Sequence, residues 1–197
     1  ALEDLIILEA HVRDLVANTH FAKNKKTFGF KELADWLQSP NNYLVDLGIN
    51  AIELQPITEF DYVSPDEYQW GYMPVNYFAP SSAYGQNNEK GSQVSEFQNL
   101  VQAFHQKGVA VILDVVYNHM GHLNALSHID KYYYFTGTED GKLSNWSGCG
   151  NDLRVDAPMV ERLVIDSLKH WIQVYDVDGF RFDLAELLGL NISNRIE

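Results

Sequence analysis

Apolar positions along the chain follow two different periods. Continuous apolar runs of strand length are separated by segments in which apolar residues return every three or four positions, as on one face of a helix. The pattern therefore predicts strands and helices in alternation. The predicted strands cover residues 5–12, 49–57, 109–117 and 179–185, and the predicted helices cover residues 30–37, 94–107 and 157–175.

Glycine and proline mark several of the predicted boundaries. Gly108 closes the second helix, and Pro158 lies in the first turn of the third helix, where proline is tolerated. We expect the first helix to resume after an interruption at residues 40–42 and to make its last turns over Tyr43–Gly48. Residues 58–90 and 120–156 show little periodicity and form long loops, the first of which we expect to be a wall of the functional site.

This alternation predicts a parallel sheet covered by helices with right-handed crossovers. A doubly wound sheet and a barrel both remain open, and in either the ligand binds at the carboxyl ends of the strands. No glycine-rich phosphate loop follows the first strand, which disfavours a nucleotide-binding sheet. The polar residues expected to collect at that end are His11, Arg13, Gln55, Asp114, Asn118, His119, Arg181 and Asp183.

The fourth strand carries the clearest chemistry. Its period of two places Arg181 and Asp183 on one face and Phe180 and Phe182 on the other. A nearby positive charge favours the ionised form of a carboxyl group, which would keep Asp183 nucleophilic and suits glycosidic-bond cleavage. A purely structural ion pair at a strand end is the alternative that these residues alone leave open.

Composition narrows the classes of partner. The 197 residues are 46% hydrophobic and suffice for one soluble globular domain with a core. A net charge of −13 argues against nucleic acid or an anionic membrane as a partner, and no stretch is long enough to span a bilayer. The single cysteine, Cys149, excludes an internal disulfide and a thiolate metal cluster. The first residues lack the features of a signal peptide, and the compartment stays open.

Two segments resemble motifs of the alpha-amylase superfamily of glycoside hydrolases. Asp114–His119 is similar to the motif that ends the third strand of that family's barrel, and Gly179–Asp183 is similar to the motif that ends the fourth. The resemblance covers essentially the whole chain. It implies a (β/α)8 TIM barrel, in which residues 1–197 would form the first four β-strands with their helices.

The resemblance implies a role for each matching residue. Asp183 corresponds to the catalytic nucleophile, Arg181 to the guanidinium that orients it, and Asp114 to the carboxylate that organises the floor of the pocket. In many alpha-amylases the counterpart of Asn118 is a calcium ligand. A calcium site needs about six to eight oxygen donors, and no others are evident in the sequence. We therefore expect a structural role for Asn118, and neither a metal nor a cofactor.

The resemblance also implies the substrate. His119 and Tyr72 correspond to residues that hydrogen-bond and stack on the sugar next to the scissile bond, and Trp70 adds an aromatic platform. Residues 68–80, 9–13 and 147–153 look like the segments found in pullulanases, isoamylases and glycogen-debranching enzymes. An α-glucan such as starch, glycogen or pullulan, cleaved at α-1,6 branch linkages with retention, is the implied substrate.

The chain departs from the family in one respect. A retaining glycosidase needs a second carboxyl group about 5–5.5 Å from the nucleophile, and in this family it is a glutamate that ends the fifth strand. The sequence stops at Glu197, after the fourth strand, and Glu186 falls on the opposite face from Asp183 if that strand continues. We expect activity in the parent protein, with the remaining half of the barrel, and not in this chain alone.

Two other functions fit the same motifs. A glucan branching or transglycosylating enzyme would use the same nucleophile but pass the glycosyl group to a sugar hydroxyl. A non-catalytic glucan-binding fragment would keep Trp70, Tyr72 and His119 as a sugar platform without turnover.

Overall fold

The computed structural model describes residues 2–25, 28–44, 46–122 and 125–196. The strands in chain order are β1 (Ile7–Ala10), β2 (Ala51–Leu54), β3 (Thr58–Phe60), β4 (Pro74–Pro80), β5 (Ala110–Val115) and β6 (Gly179–Phe182). The α-helices are α1 (Phe30–Gln38), α2 (Gln93–His105), α3 (Leu126–Tyr134), α4 (Pro158–Tyr175) and α5 (Gly189–Ile196). Within these ranges no helix combines the length and the apolar character needed to cross a membrane.

Four of the strands form one parallel sheet in the order β1-β2-β5-β6. These are the four strands predicted from the apolar runs, and α1, α2 and α4 are the three predicted helices. The spatial order of the sheet follows the chain order without the reversal that defines a doubly wound sheet. The arrangement is that of consecutive units of a (β/α) barrel, which resolves the alternative left open by the sequence.

In the described part of the chain, the helices cover one face of the sheet and leave the other face open. Leu8 and Ala10 of β1 and Phe180 and Phe182 of β6 pack against the helical core. The alternate residues point the other way, and Ile7 is 47% exposed. The core itself is built from the apolar stripes of the helices, including Phe30, Leu33, Trp36, Phe97, Leu100, Phe104, Val160, Val164 and Trp171.

The two long loops contain more regular structure than the sequence predicts. Residues 58–90 include the antiparallel pair β3 and β4, whose register is shifted at two points. β4 begins and ends with proline, and its burial does not alternate, so it lacks the two-residue period of a strand. Residues 120–156 include α3, which has a non-helical backbone at Asp130 and no buried side chain. Without an apolar stripe, such a helix gives no periodic signal.

The expected continuation of α1 over Tyr43–Gly48 is wrong. The helix ends at Gln38, and Ser39 is extended because Pro40 follows it. After that point a hydrogen bond of 3.0 Å from the Leu47 amide to the Tyr43 carbonyl closes a single turn. Val45, within the predicted segment, lies outside the described residues. Pro158, in contrast, occupies the first turn of α4 as predicted.

Candidate active site

Arg181 joins the ends of β5 and β6. The register places Arg181 directly beside Asp114. Its Nη1 donates hydrogen bonds to both carboxylate oxygens of Asp114, at 2.9 and 3.0 Å, and to Oδ1 of Asp183 at 3.1 Å. Arg181 and Asp183 therefore share a face, as the period of two predicted.

Asp114 is buried beneath this pair and receives a third hydrogen bond. The Tyr72 hydroxyl donates to Oδ2 of Asp114 at 2.6 Å. Burial raises the pKa of Asp114, although Tyr72 and Arg181 act in the opposite direction. Hydrogen bonding to Asp114 is the main cause that raises the pKa of Arg181, and burial together with Asp114 raises the pKa of Tyr72. Arg181 thus stays cationic and Tyr72 stays a hydrogen-bond donor.

Asn118 holds Asp183 from the opposite side. Its Nδ2 donates to the backbone carbonyl of Asp183 at 2.8 Å and to the carboxylate Oδ2 at 3.3 Å. Its Oδ1 lies in short contact with Nδ1 of the His119 ring. Both ends of the amide therefore make contacts within the site. In the part of the chain that the structure describes, no group of three or more His, Cys, Asp or Glu side chains is placed to hold a metal ion.

His119 connects the sheet to the loop that carries Tyr72. Its Nε2 donates to the Tyr72 carbonyl at 2.7 Å, and the Tyr77 hydroxyl donates to the His119 carbonyl at 2.8 Å. The imidazole is buried, and burial lowers its pKa. The ring therefore favours the neutral form near neutral pH.

Gly71 allows the loop of Trp70 and Tyr72 to lie close against β2. Its φ is +88°, and a Cβ at this position would lie 2.3 Å from the Pro56 carbonyl oxygen. No side chain fits there without displacing backbone. The close approach directs Tyr72 into the site and leaves Trp70 63% exposed.

His11 and Arg13 fix the same loop from the end of β1. Arg13 is buried and donates to the backbone carbonyls of Phe28, Pro65, Glu67 and Ala83. His11 Nε2 donates to the Gln69 carbonyl at 3.0 Å, while His11 Nδ1 accepts from the Arg13 amide at 3.2 Å. The sequence correctly placed both residues at the carboxyl end of the sheet. Both are engaged in anchoring the loop.

A cleft of about 510 Å³ opens above Asp183, within the usual size range for ligand sites. Four of the six predicted site residues line it, and the other two, Asp114 and Arg181, are hydrogen-bonded to Tyr72 and Asp183 of the lining. Ser147 and Cys149 also line the cleft, and no individual role was predicted for them because a long loop without periodicity brings them there. The residues lining the cleft are Glu9, Gln55, Trp70, Tyr72, His119, Ser147, Cys149, Asp183 and Leu184.

Two residues that line the cleft have unusual properties, a thiol with a raised pKa and a strained backbone. Burial and then the charge of Asp183 raise the pKa of the Cys149 thiol, which keeps it protonated at neutral pH. Leu184, next to Asp183, has a left-handed backbone with φ of +43°. Such a conformation costs a residue with a Cβ about 1–2 kcal/mol, so the chain is strained beside the candidate nucleophile.

Comparison with known proteins gives consistent matches. Isoamylase 3 of Oryza sativa subsp. japonica is 37% identical over 207 residues, which cover 94% of this chain and 26% of the relative. The glycogen debranching enzyme of Enterobacter sp. is 38% identical over 198 residues, which cover 93% of this chain and 29% of the relative. The chain thus spans little more than a quarter of the length of these curated relatives.

Solved structures agree with the sequence relatives. A pullulanase from Anoxybacillus sp., crystallised with maltotetraose, superposes with a TM-score of 0.90 at 33% identity and covers 100% of this chain and 31% of that protein. The family model described as "Alpha amylase, catalytic domain" matches residues 37–146, more than half of the chain. This chain therefore belongs to the family of alpha-amylase catalytic domains.

Proposed function

We propose that this chain supplies the nucleophile side of the active site of a retaining glycoside hydrolase that cleaves α-1,6 branch linkages in α-glucans. The observation that carries the proposal is the position of Asp183. Its carboxylate lines the cleft between the Arg181 guanidinium and the Asn118 amide. The names of the relatives, isoamylase and glycogen debranching enzyme, support the branch linkage. The maltotetraose in the related pullulanase crystals supports an α-glucan.

In the proposed reaction, Asp183 attacks the anomeric carbon of the sugar bound in the cleft. The bond from that carbon to the glycosidic oxygen breaks, and a second carboxyl group protonates the departing oxygen. The second group, now a carboxylate, takes a proton from water as the water oxygen attacks the anomeric carbon of the glycosyl–Asp183 ester, which releases the sugar with retained configuration and restores the Asp183 carboxylate. A charge-assisted hydrogen bond from Arg181 holds Asp183 in place for attack.

The other cleft residues would bind the sugar. Tyr72, which Asp114 and the close approach at Gly71 hold in place, presents its ring to the sugar next to the scissile bond. His119 is within reach of the same sugar, and Trp70 offers an exposed aromatic face. Asp114 acts indirectly, since it is buried and its bonds go to Arg181 and Tyr72.

We further propose that residues 1–197 form the first half of the barrel domain and that the proton donor comes from a later strand. The open inner face of the sheet and the share of each relative that the chain covers support this. In the described part of the chain, Glu9 and Glu186 are the alternative proton donors to test. Glu9 lines the cleft and accepts a hydrogen bond from the Gln55 side chain at 3.2 Å, and Glu186 is exposed. By itself the chain should bind glucan and should not hydrolyse it.

The test is reducing-sugar release from pullulan and from linear maltohexaose. It compares the 197-residue chain with a longer chain that continues through four further strand–helix units. The longer chain should cleave pullulan in preference to maltohexaose, and Asp183→Asn should lower its rate at least about a thousandfold. Asp166→Asn, on α4 and paired with Arg162, is the matched control and should leave the rate unchanged.

Three results would change the proposal. Hydrolysis by the Asp183→Asn variant would exclude Asp183 as the nucleophile. Hydrolysis by the short chain would show that a proton donor is already present, and Glu9→Gln and Glu186→Gln would then identify it. Longer oligosaccharides in place of reducing sugar would identify a transglycosylating enzyme.

A further inference from the structure

The segment of residues 144–152, here called the rim loop, is organised by one buried carboxylate. Asp152 accepts hydrogen bonds from the Ser144 hydroxyl at 2.6 Å, the Trp146 amide at 2.7 Å and the Ser147 amide at 2.9 Å. Burial opposes ionisation of Asp152, yet these hydrogen bonds lower its pKa. An ionised acceptor of this kind fixes the backbone on which Trp146 and Ser147 are carried.

The rim loop is also tied to the end of the sheet. The Asn151 side chain accepts from the Met120 amide at 3.0 Å and donates to the Met120 carbonyl at 2.8 Å. Within the loop, the Gly150 amide donates to Oδ1 of Asn145 at 2.6 Å. Because residue 120 directly follows His119, the loop has a defined position relative to the cleft.

Trp146 is held on this fixed backbone and remains 84% exposed. Two of the four tryptophans, Trp36 and Trp171, are buried in the core. The other two, Trp70 and Trp146, lie on the two loops that border the cleft. An isolated exposed apolar side chain is ordinary and needs no explanation. Trp146 differs in being held on a fixed backbone and in lying next to a residue that lines the cleft.

We propose that Trp146 forms a stacking platform for a glucose unit that lies outside the cleft. The inference rests on the proposed function, since it takes the ligand to be an α-glucan chain. A sugar ring presents an apolar face of C–H groups, and an exposed indole offers a matching flat surface. Ser147, the next residue, lines the cleft with Asp183, so a glucan chain leaving the cleft past the rim loop meets Trp146. Trp146 would therefore favour longer chains over short ones.

Equilibrium dialysis of the 197-residue chain against radiolabelled maltotriose and maltohexaose tests the proposal. Trp146→Ala should weaken maltohexaose binding by about three- to tenfold, the range expected for loss of one stacking contact. Maltotriose, which is short enough to occupy the cleft alone, should bind with unchanged affinity. Trp146→Phe should restore most of the preference for the longer sugar.

Ile172→Ala is the matched control. Ile172 is exposed on α4 and lines a separate groove together with Asp178 and Gly179. This groove lies at the opposite end of the sheet from the cleft. This variant should bind both sugars like the parent chain. Equal affinity of the parent chain and Trp146→Ala for maltohexaose would overturn the platform. An equal loss of affinity for maltotriose and maltohexaose would overturn it too, because it would place Trp146 inside the cleft. A parent chain that binds neither sugar would instead overturn the proposed function.

Discussion

At the scale of single residues, two polar side chains of the site each connect two partners. Arg181 holds both Asp114 and Asp183, and Asn118 holds both Asp183 and His119. Buried polar groups lose most when one partner is removed and the other stays behind unpaired. A substitution at any one of these positions therefore disturbs the neighbouring groups as well.

The backbone strain at Leu184 gives a residue-scale prediction. At most positions alanine is more stable than glycine by about 0.5–1 kcal/mol. At φ of +43° the order should reverse, with Leu184→Gly more stable than Leu184→Ala by about 1 kcal/mol. Both variants lose the same side chain, so the comparison isolates the backbone. Urea unfolding measures the difference, and the usual order with alanine ahead would show that the backbone is not strained there.

His11 gives a second prediction, on the pH dependence of stability. Burial lowers the pKa of His11 below the value of about 6.5 expected in the unfolded chain. The unfolded state then binds more protons in this window, so the free energy of unfolding falls as the pH falls from about 7 to about 5. A proton on Nδ1 would also break the hydrogen bond from the Arg13 amide.

Other buried groups also make the stability depend on pH. Burial raises the pKa values of Asp114 and Glu59, so these two carboxyl groups increase the free energy of unfolding as the pH falls. The contribution of His11 is therefore measured by comparison with a variant. The free energy of unfolding of His11→Gln should change less steeply over the same pH range. Identical slopes in the parent chain and the variant would contradict the assignment.

At the scale of elements, the sequence predicted the parallel strands and the helices α1, α2 and α4 because each carries a long periodic pattern. It also predicted Arg181, Asp183, Asp114 and His119 at one edge, since the carboxyl ends of parallel strands meet there. β3, β4 and α3 were missed because their periodicity is broken. Nothing periodic marks the approach of the rim loop to the cleft, which depends on hydrogen bonds to Asp152 and Asn151.

The loop of Trp70 and Tyr72 gives the element-scale prediction. Gly71 and Gly91 both have positive φ, but only at Gly71 would a Cβ meet backbone, whereas nothing lies within 4 Å at Gly91. Gly91→Ala should cost about 1 kcal/mol of stability for the backbone conformation alone. Gly71→Ala should cost at least about 2 kcal/mol, because the overlap with Pro56 adds to it. Equal costs in urea unfolding would mean that the close approach is absent.

At the scale of the whole molecule, the open sheet predicts self-association. Among the described strands, β1 and β6 each lack a neighbour on one side, and unpaired strand edges recruit other chains. Ile7 and Ile172 add exposed apolar surface at 47% and 50%. Light scattering after size exclusion should give a mass above 22.5 kDa that rises with concentration. Ile172→Lys should lower the apparent mass. A constant monomer mass in the parent chain would contradict the prediction.

The central claim is that Asp183 is the nucleophile, and covalent trapping tests it most directly. A 5-fluoro-maltosyl fluoride carries a leaving group that departs without a proton donor, so it should react even with the short chain. Mass spectrometry should find one added glycosyl group, on the peptide that contains Asp183, and none in the Asp183→Asn variant. A glycosyl group on another carboxyl, such as Glu9, or no adduct on a chain shown to bind maltotriose, would contradict the account.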